Sequence, residues 1–170
     1  MRDLPELALE FARKAHEGQV RKYTGEPYIN HPIEVARIVS TVPHTDEMLA
    51  AAYLHDVVED CGFSFPEIFH RFGEVVGKYV YWLTDVSMHS DGNRAQRKAI
   101  DRAHLALAPA AAQTIKLADL IDNTRTIADR DPKFWEVYRL EKIALLDVLT
   151  KGDMALMVKA REQVGATYAV

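Results

Sequence analysis

Ala50-Ala51-Ala52-Tyr53-Leu54-His55-Asp56-Val57-Val58-Glu59-Asp60 is the stretch from which the rest of the chain can be read. Its first half is small or apolar on every side, as expected of a helix in the middle of a bundle. Its second half carries one histidine and three carboxylates. At 100° per residue, His55, Asp56, Glu59 and Asp60 fall within an arc of about 140° and share one face. Ionisable groups on a buried face are costly unless compensated, and a metal ion is the usual compensation. A solvated acidic helix end is the competing reading. It fits less well, because the helix arrives fully apolar and Cys61-Gly62-Phe63 follows.

Working outward, the periodicity is helical nearly throughout. Leu4, Leu7, Ala8, Phe11 and Ala15 mark one apolar helix face, with Gly18 as its stop. Residues 19–30, with Thr24-Gly25-Glu26-Pro27, read as a loop. Asn30 is expected to cap a helix that starts near His31-Pro32 and runs through Val35, Ile38 and Val39. The third helix is expected from about Asp46 to Asp60. Ser64-Phe65-Pro66-Glu67 has the form of a capping box, opening a helix that Gly73 or Gly77 interrupts before the apolar run 80–86. After a polar loop over 87–93, helices are expected over 93–108, 110–129, 132–151 and 153–165. No window alternates over a strand's length. The expectation is an all-α bundle of about eight helices, a single domain over 1–170.

Length supports that, since domains commonly run about 100–200 residues. With 48% hydrophobic and 27% charged residues the chain is neither fibrous nor disordered. Its 21 basic and 25 acidic side chains give a net charge of −4, which disfavours nucleic acid as partner and leaves room for a local basic pocket. Lone Cys61 cannot form an internal disulfide, and nothing near it marks an activated nucleophile. The first residues carry Asp3, Glu6 and Glu10, unlike a signal peptide, and no apolar run approaches the roughly 18 residues of a membrane span. The reading is cytoplasmic, with no membrane partner; oligomeric state, homo-oligomers included, is left open.

A second polar cluster lies within an apolar helix, where Asp119 and Asn123 are four residues apart and share a face. Taken alone, Asp119 could simply pair with Lys116. His31, beside Pro32, could be a core or capping histidine. Together His31, His55, Asp56 and Asp119 make a nitrogen and oxygen set suited to a divalent ion such as Mn²⁺, one per chain. With no thiolate among the four, the site reads as catalytic rather than structural.

The order His31, His55-Asp56, Asp119 resembles the HD-domain metal phosphohydrolases. Gly18-Gln19-Val20-Arg21-Lys22 and Gly25-Glu26-Pro27-Tyr28-Ile29-Asn30-His31-Pro32 look like the opening of the hydrolase domain of RelA/SpoT-type alarmone enzymes. Leu83-Thr84-Asp85, Arg97-Lys98, Lys116-Leu117-Ala118-Asp119, Asn123 and Arg125-Thr126 continue the match over about residues 5–150. The stand-alone small alarmone hydrolases (the metazoan SpoT-homologue type) are the nearest in kind.

The resemblance implies Mn-dependent hydrolysis of the 3′-pyrophosphate of guanosine tetra- or pentaphosphate (ppGpp, pppGpp), giving GDP or GTP and pyrophosphate. It implies metal ligation by His31, His55, Asp56 and Asp119, with Glu59 taking the water proton and Asp60 orienting the water or metal shell. It also implies nucleotide contacts from Arg21, Lys22, Tyr28, Asn123 and Thr126. Asp122 departs from the family pattern by placing an extra carboxylate beside Asn123. The alternatives are hydrolysis of another nucleotide, such as NADPH at its 2′-phosphate, and a catalytically silent nucleotide-binding module. The silent module would be expected to have lost a ligand or one of the acid–base pair.

Overall fold

A computed structural model describes residues 3–165, so the first two and last five positions of the expected 1–170 domain lie outside the described residues. The helices are α1 Leu4–Ala15, α2 Asn30–Val39, α3 Asp46–Leu54, α4 Val57–Cys61, α5 Phe65–Leu83, α6 Arg94–Leu107, α7 Ala110–Arg130, α8 Pro132–Leu146 and α9 Met154–Gln163. The all-α expectation holds. The chain divides after Thr84 into two compact units.

In the first unit α3 is the hub, packing against α1, α2 and α5. This explains its run of alanines: Ala50, Ala51, Ala52 and Leu54 have no exposed surface, and small side chains let three neighbours approach. Asp3 caps α1 by accepting from Glu6 N at 2.9 Å. Ser64 and Glu67 form the expected capping box at the start of α5, and the interruption falls at Gly73, whose φ of +86° only glycine adopts cheaply. Gly77 stays helical, with the Phe69 ring packed where a Cβ would stand.

Two local expectations are corrected. Asn30 is the first residue of α2 rather than its cap, and no side chain caps that helix. Its start is shaped instead by turns, with Asn30 N donating to Pro27 O and His31 N to Tyr28 O. The helix expected over 46–60 is broken at His55-Asp56 into α3 and α4. His55 Nδ1 bonds the Ala52 carbonyl at 2.8 Å, taking the acceptor that the Asp56 N–H would use in a continuing helix.

In the second unit α7 is the hub, packing against α8 and α9 and burying Ala112, Ile115, Leu117, Ala118 and Ile121. Helix α8 ends at Leu146, short of the expected 151. Gly152 then turns the chain so close to α7 that a Cβ there would meet Leu117 Cδ1 at 2.6 Å.

Candidate active site

In the first unit, three side chains converge on the Asp56 carboxylate. Asp56 stands at the α3–α4 break, His55 just before it, His31 in the first turn of α2, and Tyr28 in the loop leading to α2. The Tyr28 hydroxyl donates to Asp56 Oδ2 at 2.6 Å. His55 Nε2 lies 3.1 Å and His31 Nε2 3.7 Å from that same oxygen. Both imidazoles are buried, 2% and 3% exposed for His31 and His55. Their rings meet edge to face with centroids 5.1 Å apart.

The donor chemistry fits a divalent cation. A carbonyl only accepts, so the His55–Ala52 bond puts a proton on Nδ1 and leaves Nε2 to face Asp56. In the neutral imidazole that is a lone pair against a carboxylate oxygen, an arrangement that calls for a positive charge between them. His31, His55 and Asp56 each offer one ligand atom, and these atoms lie within 4.8 Å of one another. The Nδ1 bond to backbone and the tyrosine bond to the carboxylate are contacts of the kind that orient metal ligands.

Glu59 and Asp60 follow on α4 and keep much of their surface in solvent, so the polar face is enclosed only as far as Asp56. The break ends the burial that a continuous helix was expected to give all four groups. Partial burial, then the Asp56 charge, pushes the Asp60 carboxyl above its ordinary value, against the pull of Tyr28, His16 and His55.

Arg21 and Lys22 sit on a tight loop. Val20 and Pro27 form an isolated bridge, Arg21 N donates to Glu26 O at 2.8 Å, and Tyr28 N to Gln19 O at 2.9 Å. Lys22 is exposed, its ammonium 5.0 Å from the Tyr23 ring centroid.

The remaining expected site residues lie on α7 in the second unit. Asp119, 4% exposed, is held by Lys116 Nζ at 2.8 Å and by Asn123 Nδ2 at 2.7 Å. Thr126 Oγ1 is 3.4 Å from the Asn123 carbonyl. Asp122 is also buried, with Arg125 Nη1 4.0 Å from its carboxylate, so the added charge is enclosed and countered rather than solvated. Two residues around Asp60 were not singled out by the sequence reading: His16 and Gln19. Gln19 lay in the quoted Gly18–Lys22 motif, whereas His16 carried no local signal.

Residues 8–145 match the family model of the HD domain. The chain belongs to the HD-domain family. Among HD-domain proteins it is 36% identical over 137 residues to the zebrafish (Danio rerio) guanosine-3′,5′-bis(diphosphate) 3′-pyrophosphohydrolase MESH1, covering 79% of this chain and 74% of that one. It is 38% identical over 124 residues to the Vibrio cholerae guanosine-3′,5′-bis(diphosphate) 3′-pyrophosphohydrolase, 71% of this chain but 17% of that one. It thus spans about a sixth of such long relatives. A solved structure of a metazoan SpoT ortholog, described as hydrolysing ppGpp with a role in starvation responses, superposes with a TM-score of 0.84. That comparison has 30% identity and covers 96% of this HD-domain chain and 94% of the other.

Proposed function

We propose that this HD-domain protein is a metal-dependent 3′-pyrophosphohydrolase of guanosine tetra- and pentaphosphate. The carrying observation is the His31, His55 and Asp56 cluster, with Tyr28 and Asp60 against it, in a chain similar along most of its length to the metazoan ppGpp hydrolase. The divalent ion is Mn²⁺ on this reading, one per chain. His31, His55 and Asp56 would hold it, with Asp119 assigned as fourth ligand by the family motif. When bound, such an ion lowers the pKa of water and polarises a phosphoryl oxygen.

Hydrolysis forms a bond from the water oxygen to the phosphorus and breaks the bond to the ribose 3′-oxygen. One proton must leave the water and one must reach that oxygen. Glu59 is assigned to the first task and Asp60 to orienting the water. Asp60's raised affinity for a proton also suits it to hold the one in transit. Arg21 and Lys22 supply positive charge for the phosphate arms from an exposed loop, where charge-assisted bonds are stronger than neutral ones. Tyr28, Asn123 and Thr126 are the remaining nucleotide contacts; Tyr28 also tethers Asp56, so its share in base binding is secondary. A small nucleotide as substrate accords with a cytoplasmic role. Among the described residues no helix is long and apolar enough to cross a membrane.

The test is turnover of a nucleotide panel with Mn²⁺, products separated by chromatography. GDP and pyrophosphate from guanosine tetraphosphate are expected. Turnover of NADPH alone, or of nothing, would sink the assignment.

A further inference from the structure

His16 is buried at the C-terminal end of α1, 2% exposed, and reaches the site by two routes. Its ring packs on that of Tyr28, with centroids 4.8 Å apart and planes 32° apart. Tyr28 in turn donates to Asp56. On the other route, Gln19 Nε2 donates to the Asp60 carbonyl at 3.2 Å, which turns its Oε1 toward His16 Nδ1 at 2.7 Å. Because that oxygen can only accept, His16 Nδ1 carries the proton. The Cys61 sulfur lies 3.3 Å from the same nitrogen, closing the contact with the end of α4.

We propose that His16 is a positioning residue that sets two carboxylates at once: Asp56 through the stacked Tyr28, and Asp60 through the Gln19 amide. Its face and its edge serve separate ends. The ring face limits how Tyr28 can rock, which fixes the direction of the hydroxyl on Asp56. The Nδ1–H orients the Gln19 amide, which holds the last turn of a five-residue helix too short to be rigid by itself. The catalytic part of this inference rests on the hydrolase reading above. The metal-site part does not.

Two variants separate the routes. His16→Phe keeps a ring against Tyr28 and removes the bond to Gln19. His16→Asn keeps a donor near the Nδ1 position and removes the ring. His16→Phe should lower kcat about tenfold with KM and Mn²⁺ affinity near the parent's, whereas His16→Asn should weaken Mn²⁺ binding about tenfold, the usual scale for losing an outer-shell partner. Mn²⁺ affinity is read by titration calorimetry, and folding by circular dichroism. Parental kcat in His16→Phe together with parental Mn²⁺ affinity in His16→Asn overturns the proposal, as does an equal loss of both quantities in both variants. Should either variant fail to fold, Gln19→Met decides the kcat arm and His16→Gln, which keeps a polar amide and removes the ring, the Mn²⁺ arm, with the same expectations and the same overturning results. A parent that binds Mn²⁺ but does not turn over guanosine tetraphosphate removes the hydrolase reading, and the order of Mn²⁺ affinities still judges the Asp56 route.

Discussion

At the residue scale the candidate site gives neighbouring carboxyl groups different surroundings. Asp56 accepts from the Tyr28 hydroxyl at 2.6 Å and lies against the buried imidazoles of His31 and His55. Asp60, four residues on, feels partial burial and the charge of Asp56, which favour the protonated form. Glu59 is exposed and lies four residues from His55, beyond the break between α3 and α4. Glu59→Gln preserves size and hydrogen bonding while removing basicity. Turnover should fall about 10²–10⁴-fold, the usual worth of a general base, with Mn²⁺ and nucleotide still bound. Undiminished turnover in Glu59→Gln would move proton transfer to Asp60.

At the element scale α7 carries Asp119 and Asn123 and is held by a buried lysine from α8. Lys142, 1% exposed, donates to the Leu120 carbonyl at 3.2 Å, to Thr124 Oγ1, and to Gln163 Oε1 of α9 at 3.0 Å. Burial lowers its pKa to about 7 from 10.5, with the Asp119 charge pulling the other way. Between those two values the unfolded chain holds a proton that the folded chain has released, so stability rises with pH across that window. The contribution is complete above about 10.5 and lost as pH falls to about 7. Lys142→Met should therefore flatten the rise. The check is the unfolding free energy by urea at pH 7 and pH 9.5, for parent and variant. Equal slopes would mean that Lys142 keeps its proton in the fold.

At the scale of the whole molecule, the HD-domain match over 8–145 runs through both compact units. The expectation of one domain over 1–170 then becomes a calorimetric prediction. Heating should give one transition, with calorimetric and van't Hoff enthalpies equal. Mn²⁺ should raise its midpoint, since a ligand at 100 times its Kd adds about 2.7 kcal/mol. Two transitions, only one of them moved by Mn²⁺, would make the units separate folding domains. On the proposed hydrolase reading a polyanionic substrate meets a chain of net charge −4 and needs local cations, and Arg21 and Lys22, on the loop before His31, are the ones proposed.

Helix periodicity and the ordered residues His31, His55-Asp56 and Asp119 were legible in the chain itself, because burying one face of a helix is a local, repeating demand. The all-α class follows from that periodicity, whereas the family rests on the resemblance carried by the motifs around those residues. The break at His55-Asp56 was not legible: the run 46–60 is a sound helix by propensity, and the structure ends it where an imidazole takes the Ala52 carbonyl. The lock on Asp60 was equally hidden, since Gln19 meets the Asp60 carbonyl 41 residues along the chain and His16 meets Cys61 45 residues along. Contacts at such separations leave no period in a sequence. They exist only once α1, α3 and α4 have packed, and that packing sets the surroundings of each carboxyl group.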